Sequence, residues 1–151
     1  MLRLREPRTN EFEMLSDLCM RSKAVWGYDE KFMQACRAEL TLAPGDMHTS
    51  RIRVADADGV VVGVAQVSAT DGIACLEKLF VEPSRLRTGA GRELFAWARR
   101  VAHELGAATL VIDADPGAAG FYRRMGARDA GVAPSESIPG RFLPRFVLDL
   151  A

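Results

Sequence analysis

Residues 81–92 read V-E-P-S-R-L-R-T-G-A-G-R and join an apolar, strand-like run to a long amphipathic one. A strand that turns through glycines into a helix leaves the first N–H groups of that helix without intrahelical partners. The helix dipole adds partial positive charge at the same place. The turn is therefore a candidate phosphate cradle. Arg85, Arg87 and Arg92 set three cations around it, and guanidinium forks match phosphate oxygens in bidentate fashion. Gly89 and Gly91 alone fit equally a turn that only brings a helix close to a sheet. Two commoner phosphate loops do not match. No Lys-Ser/Thr pair follows the glycines as a P-loop requires, and Leu94 stands where a G-x-G-x-x-G fingerprint needs its third glycine.

On the N-terminal side, residues 73–81 are apolar at nearly every position except Glu77 and Lys78, which predicts a central strand covered on both faces. On the C-terminal side, Leu94, Ala98, Val101 and Leu105, flanked by Phe95 and Ala102, form a helical stripe over residues 89–105, and Gly106 supplies the stop. Residues 109–114 form a short apolar strand, so strand, helix and strand make a crossover with parallel strands. Asp115 followed by Pro116 then predicts a capped helix start, with the helix ending at Gly126.

Further out, residues 2–6 alternate as a first strand closed by Pro7. Thr9 or Asn10 can cap a helix over residues 11–20, and a second helix covers residues 29–40. Residues 52–56 and 60–67 read as a hairpin around Asp58-Gly59. Closing strands at 128–133 and 145–150 flank the loop P-S-E-S-I-P-G-R at residues 134–141. The fold class is α+β: a mixed, mostly antiparallel sheet with one embedded parallel crossover, flanked by helices.

A chain of 151 residues, 48% hydrophobic, suits one core, so a single domain over residues 1–151 is expected. Lys plus Arg and Asp plus Glu number 20 each, which gives no broad field for a nucleic acid or an acidic membrane. Cys19, Cys36 and Cys75, with two histidines in the whole chain, have no metal-site spacing and read as buried thiols of a reducing compartment. No apolar run approaches the ~20 residues that span a bilayer, and M-L-R-L-R-E-P lacks a signal-peptide core. A cytoplasmic protein is expected.

The central strand, the Arg/Gly turn into a long helix, and the second strand leading to D-P-G-A-A-G-F-Y-R-R-M-G-A at residues 115–127 stand in one order. Together they resemble the GNAT superfamily of acetyl-CoA-dependent N-acetyltransferases over nearly the whole chain. Gly89 and Gly91 match the family's Q/R-x-x-G-x-G/A element, and Ala118, Phe121 and Tyr122 match its N-x-x-A-x-x-F-Y element. Two positions depart from it. Leu86 stands where Gln or Arg is usual, and Asp115 where Asn is common.

The resemblance implies acetyl-CoA as co-substrate, no metal, and direct attack of a primary amine on the thioester in a ternary complex. It implies a pyrophosphate held by the backbone of Thr88, Gly89, Ala90, Gly91 and Arg92 with help from Arg87. The pantetheine and the thioester carbonyl would lie along Leu79, Phe80 and Val81, with Asp115, Ala118, Phe121 and Tyr122 on the other side. Tyr122 becomes the acid that protonates the leaving thiolate; without the motif it reads as a core aromatic.

If the strand is regular, Glu77 shares a face with Cys75, Leu79 and Val81, where desolvation would fit it to act as the base. The other readings pair it with a cation such as Lys78, let it face solvent at an interruption of the ladder, or leave the base to a water chain. Trp26 to Asp29 either form an ammonium site or staple the two first helices to the sheet. Ser135, Ser137 and Arg141 lie in a loop that would overhang the cleft, and His48 carries no role. The acceptor is a small-molecule or peptide amine, and the closing strands can pair or swap in a homodimer. An acyl-CoA-binding sensor with little catalysis is the alternative from another class.

Overall fold

The computed structural model describes residues 1–150. Strand β1 (Leu2–Arg5) leads through a 3-10 turn at Thr9–Glu11 into α1 (Phe12–Ala24), then α2 (Glu30–Leu40) and a short α3 (Asp46–Thr49). Next come β2 (Arg51–Ala57), β3 (Val60–Thr70), β4 (Ile73–Val81), α4 (Ala90–Glu104) and β5 (Thr109–Asp113). The chain closes with α5 (Ala119–Arg124), β6 (Arg128–Pro134) and β7 (Phe142–Asp149). The strands form one sheet in the order β1-β2-β3-β4-β5-β7-β6. Every neighbouring pair is antiparallel except β4 and β5, the crossover pair. The α+β expectation holds, and β4 is central.

Two apolar layers fix the helices. On one face Leu94, Phe95, Ala98 and Val101 of α4 meet Val67, Leu76, Leu110, Ile112 and Phe146. On the other, Leu15, Leu18 and Cys19 of α1 and Cys36 and Leu40 of α2 meet Ile52, Val54 and Val64. The Asp58-Gly59 turn adopts positive φ at both residues, 53° and 93°, which suits the right-handed twist of the β2–β3 hairpin. Asp29 caps α2 by accepting the Phe32 N–H at 2.8 Å.

The α1 start departs from expectation. Neither Thr9 nor Asn10 caps it; both lie in the 3-10 turn, where Glu11 Oε1 accepts the Arg8 N–H at 2.7 Å. The helix then runs four residues past 20, to Ala24. Glu11 has a larger task than capping. Arg5 donates to both of its oxygens at 2.9 Å and to Asp56 Oδ2 at 3.0 Å, tying β1, α1 and β2 together. The Arg5 guanidinium holds the Glu11 and Asp56 carboxyls below the usual carboxylate range. Carboxylates lowered in the folded state stabilise it above their ordinary range, and that contribution is lost as pH falls through the lowered folded values. Glu11→Gln is expected to cost about 2 kcal/mol at pH 7. Chemical denaturation should show the gap between wild type and mutant closing below about pH 4.

Candidate active site

Strands β4 and β5 pair only at their starts, where Ile73, Ala74 and Cys75 face Thr109, Leu110 and Val111. Beyond those residues β4 continues to Val81 and β5 to Asp113 without a ladder between them. The sheet therefore splays open in its middle. Leu79, Phe80 and Val81 remain paired to β3 through Ala65, Val64 and Gly63 on one side. Their other edge is free, and an extended ligand with amide groups can add to such an edge as a strand does.

The cradle stands at the end of β4. After a 3-10 turn at Pro83–Arg85, Arg87 takes φ 66° and Gly89 takes φ 94°, both in the left-handed region. Gly89 is the residue before α4, and no side chain caps the helix. The Thr88 hydroxyl instead donates back to the Arg85 carbonyl at 2.6 Å. The first bond of the helix runs from Glu93 N–H to the Gly89 carbonyl, so the Ala90, Gly91 and Arg92 N–H groups have no acceptor among the described residues. Fifteen residues of aligned peptide dipoles stand behind them. Arg85, Leu86, Arg87 and Arg92 are exposed, which leaves the backbone as the fixed part of the cradle. Glu82, just before it, is anchored to α1 by two bonds from Arg21 at 3.0 and 2.7 Å.

Tyr122 closes the far side. Its ring is buried among Phe95, Phe121 and Phe146, with centroid separations of 5.9, 5.2 and 6.1 Å. Burial raises the phenol well above its ordinary pKa, so it carries its proton at neutral pH. No polar side-chain atom is both enclosed and unpartnered among the described residues, and the Tyr122 hydroxyl, which makes no protein hydrogen bond there, therefore keeps some contact with solvent although its residue is buried. Phe121 links this helix to the cradle, with its ring edge 3.5 Å from where a Cβ on Gly91 would stand. Ala118 and Phe121 are half-buried against the same core.

Glu77 does not lie as a regular strand would place it. Gln66 pairs with Lys78 and Val67 with Leu76, so Glu77 is the extra residue of a β-bulge. The bulge moves Leu79 and Val81 to the α4 side of the sheet, while Glu77 stays with Cys75 on the opposite face and accepts the Ser68 hydroxyl at 2.7 Å. Its side chain is exposed, so the expected desolvation is absent. Nor does it pair with Lys78, which donates to Gln66 Oε1 at 3.1 Å. Burial pushes the three thiols up, Cys19 to about 12, so no cysteine offers a ready thiolate.

Asp115 caps its turn as expected, with Oδ1 accepting the Gly117 N–H at 3.0 Å. Its other oxygen accepts the Tyr28 hydroxyl at 2.6 Å and the Lys23 ammonium at 3.4 Å, and Arg141 stands at 3.7 Å. Arg141 also donates to the Tyr28 hydroxyl at 2.6 Å. Burial, then the Asp115 carboxylate, pushes the Tyr28 phenol up to about 12, so it remains a donor. The Trp26 ring rests on Gly117, where an added Cβ would come within 2.7 Å of it. Ser137 donates to Glu39 of α2, and Ile138 packs into the α1–α2 core. Trp26, Tyr28 and the late loop thus do staple elements together. Lys23 was not distinguishable in the sequence, because its carboxylate partner lies 92 positions away.

A family model described as an acetyltransferase (GNAT) domain matches residues 19–135. The chain belongs to the GNAT acetyltransferase family. The GNAT fold is shared with solved structures at low identity. PaiA N-acetyltransferase of Thermoplasma acidophilum, in complex with coenzyme A, superposes with a TM-score of 0.79 at 14% identity over 99% of each chain. The ribosomal-protein-S18-alanine N-acetyltransferase of Escherichia coli gives 0.73 at 18% identity, covering 100% of this chain and 95% of its own. YncA of Salmonella typhimurium, a putative acetyltransferase with acetyl-CoA bound, gives 0.72 at 17% identity, with the same coverage. No curated protein sequence matches the chain.

Proposed function

We propose that the protein transfers the acetyl group of acetyl-CoA to a primary amine by direct attack in a ternary complex, as a single cytoplasmic domain. The observation that carries this reading is the free β4 edge running directly into an uncapped helix start, with a protonated phenol across the gap. The residues fit the ligand. The Ala90, Gly91 and Arg92 N–H groups suit a pyrophosphate, and the edge of Leu79, Phe80 and Val81 suits the amides of a pantetheine arm. Bound acetyl-CoA supplies an activated thioester.

The chain then performs four tasks. The splay holds the two reactants in reach of each other, and the fixed backbone of β4 provides donors where negative charge develops on the carbonyl oxygen. Tyr122 gives its proton to the departing thiolate. Burial makes the phenol a weaker acid, and a thiolate leaving into the same surroundings would be destabilised as well, which offsets that loss. Glu77, exposed at the bulge, takes the proton of the amine through water rather than by direct contact. Burial holds the three thiols in the protonated form, which favours direct attack by the amine over an acyl-cysteine route.

Thiol release from acetyl-CoA across a panel of primary amines tests the reading. Amine-dependent release supports it, and tight binding of acetyl-CoA without release on any amine supports a sensor role instead. For Glu77, the expected result of Glu77→Gln is loss of the acidic limb in the pH profile of kcat/KM. An unchanged profile assigns the proton to solvent.

A further inference from the structure

Two part-buried cations share one carboxylate at the end of β5. The side chains of Lys23, Arg141 and Asp115 are 13%, 19% and 12% exposed. Asp115 has little left to offer Arg141 beyond its charge, because its oxygens already accept from Tyr28, Gly117 and Lys23. Arg141 makes one bond with its guanidinium, to the Tyr28 hydroxyl, out of the five N–H donors the group carries. No polar side-chain atom is both enclosed and unpartnered among the described residues, so its Nε and Nη1 groups, which have no partner, are in contact with solvent. The cation is nonetheless held in place. Tyr28 and Phe32 stack at 4.0 Å, and the Arg141 guanidinium lies 5.0 and 4.9 Å from their ring centroids.

The surplus positive charge is not confined to this cluster. Lys78, half-buried on the α1–α2 face of β4, has Gln66 and no carboxylate as its hydrogen-bond partner among the described residues. Glu39 of α2 and Glu77 of β4 are exposed and accept from Ser137 and Ser68. Partly desolvated charge without a counter-ion is costly, and a site that retains it is suited to an anionic ligand. The cluster borders the splay, because Asp115 opens the turn that carries Tyr122 seven residues later.

Resting on the acetyl-transfer reading, we propose that the acceptor is a small amine that also bears a carboxylate, held by Arg141 with Lys23 beside it. Asp115 then serves as a positioning residue: it anchors both cations and the Tyr28 hydroxyl while its other oxygen fixes the Gly117 turn. The Asp in place of the more common Asn supplies the charge that this anchoring needs. The carboxylate of the acceptor would meet the open edge of the guanidinium in bidentate fashion.

The test compares free α-amino acids with their amides and with the amines that lack the carboxylate, together with acidic dipeptides as a peptide source of the same group. Two readouts are taken: thiol release from acetyl-CoA, and calorimetric binding to the protein saturated with CoA. A charge-assisted bidentate contact predicts about 10–100-fold higher kcat/KM, and correspondingly tighter binding, for the carboxylate member of each pair. Arg141→Gln should bring the ratio near one, and Arg141→Lys should keep part of it. Preference for a free amino acid over an acidic dipeptide places the carboxylate next to the amine, and the reverse preference places it on a side chain.

Turnover without carboxylate preference overturns this proposal and leaves acetyl transfer standing. Carboxylate-selective binding without thiol release on any acceptor sustains the site and overturns acetyl transfer. Absence of selectivity in both readouts overturns the proposal whether or not the protein turns over.

Discussion

Gly89→Val is expected to weaken coenzyme A binding by about 10–100-fold, with little change in the folded structure away from the turn. The strain arises in the backbone rather than from crowding. Gly89 sits at φ 94°, and a Cβ added there would meet nothing within 4 Å, so space is available but the conformation is not. A β-branched residue forced there costs about 1–3 kcal/mol, or it leaves the left-handed region and turns the following N–H groups away from the ligand. Arg87→Ala removes an exposed guanidinium, whose contact in solvent is worth less than about 1 kcal/mol. Isothermal titration with CoA should therefore rank Gly89→Val well below Arg87→Ala. The opposite ranking would make the arginines, not the helix start, the phosphate site.

Tyr122→Phe is expected to lower kcat by about 10²–10³-fold while leaving acetyl-CoA affinity nearly intact. The ring stays buried against Phe95, Phe121 and Phe146, so packing survives the loss of one oxygen. That oxygen has no protein hydrogen bond to lose among the described residues, and the mutant should melt close to wild type. A purely structural Tyr122 would give the reverse pattern, with unchanged turnover. Steady-state kinetics beside a thermal melt separates the two.

The parts of the fold legible in the sequence are those that local chemistry determines. The D-G turn, the α4 stripe ending at Gly106 and the D-P start at residue 115 each depend on residues within a few positions, and each stands where expected. The uncapped helix start at Gly89 was legible for the same reason, since glycine spacing and a helix start are local. The bulge at Glu77 left only a trace, the break that Glu77-Lys78 makes in an apolar run. One extra residue reverses which face the rest of β4 presents without changing its composition.

The cluster around Asp115 was less legible. Tyr28 and Arg141 drew attention as acceptor-side residues, but their hydrogen bond spans 113 positions, and that from Tyr28 to Asp115 spans 87. No spacing rule connects such partners. The expected N-terminal cap failed for a related reason. Glu11 is recruited by Arg5 and by its own turn, and tertiary ion pairing displaced the simple cap that Thr9 or Asn10 offered.

The most direct test follows an isotopically labelled acetyl group from acetyl-CoA. With the protein and no amine, the label should stay on the coenzyme; on addition of an accepted amine it should appear on that amine, with one free thiol per product. Label found on the protein before amine is added would contradict direct attack, and a bound coenzyme that never yields its acetyl group to any amine would contradict the enzymatic reading itself.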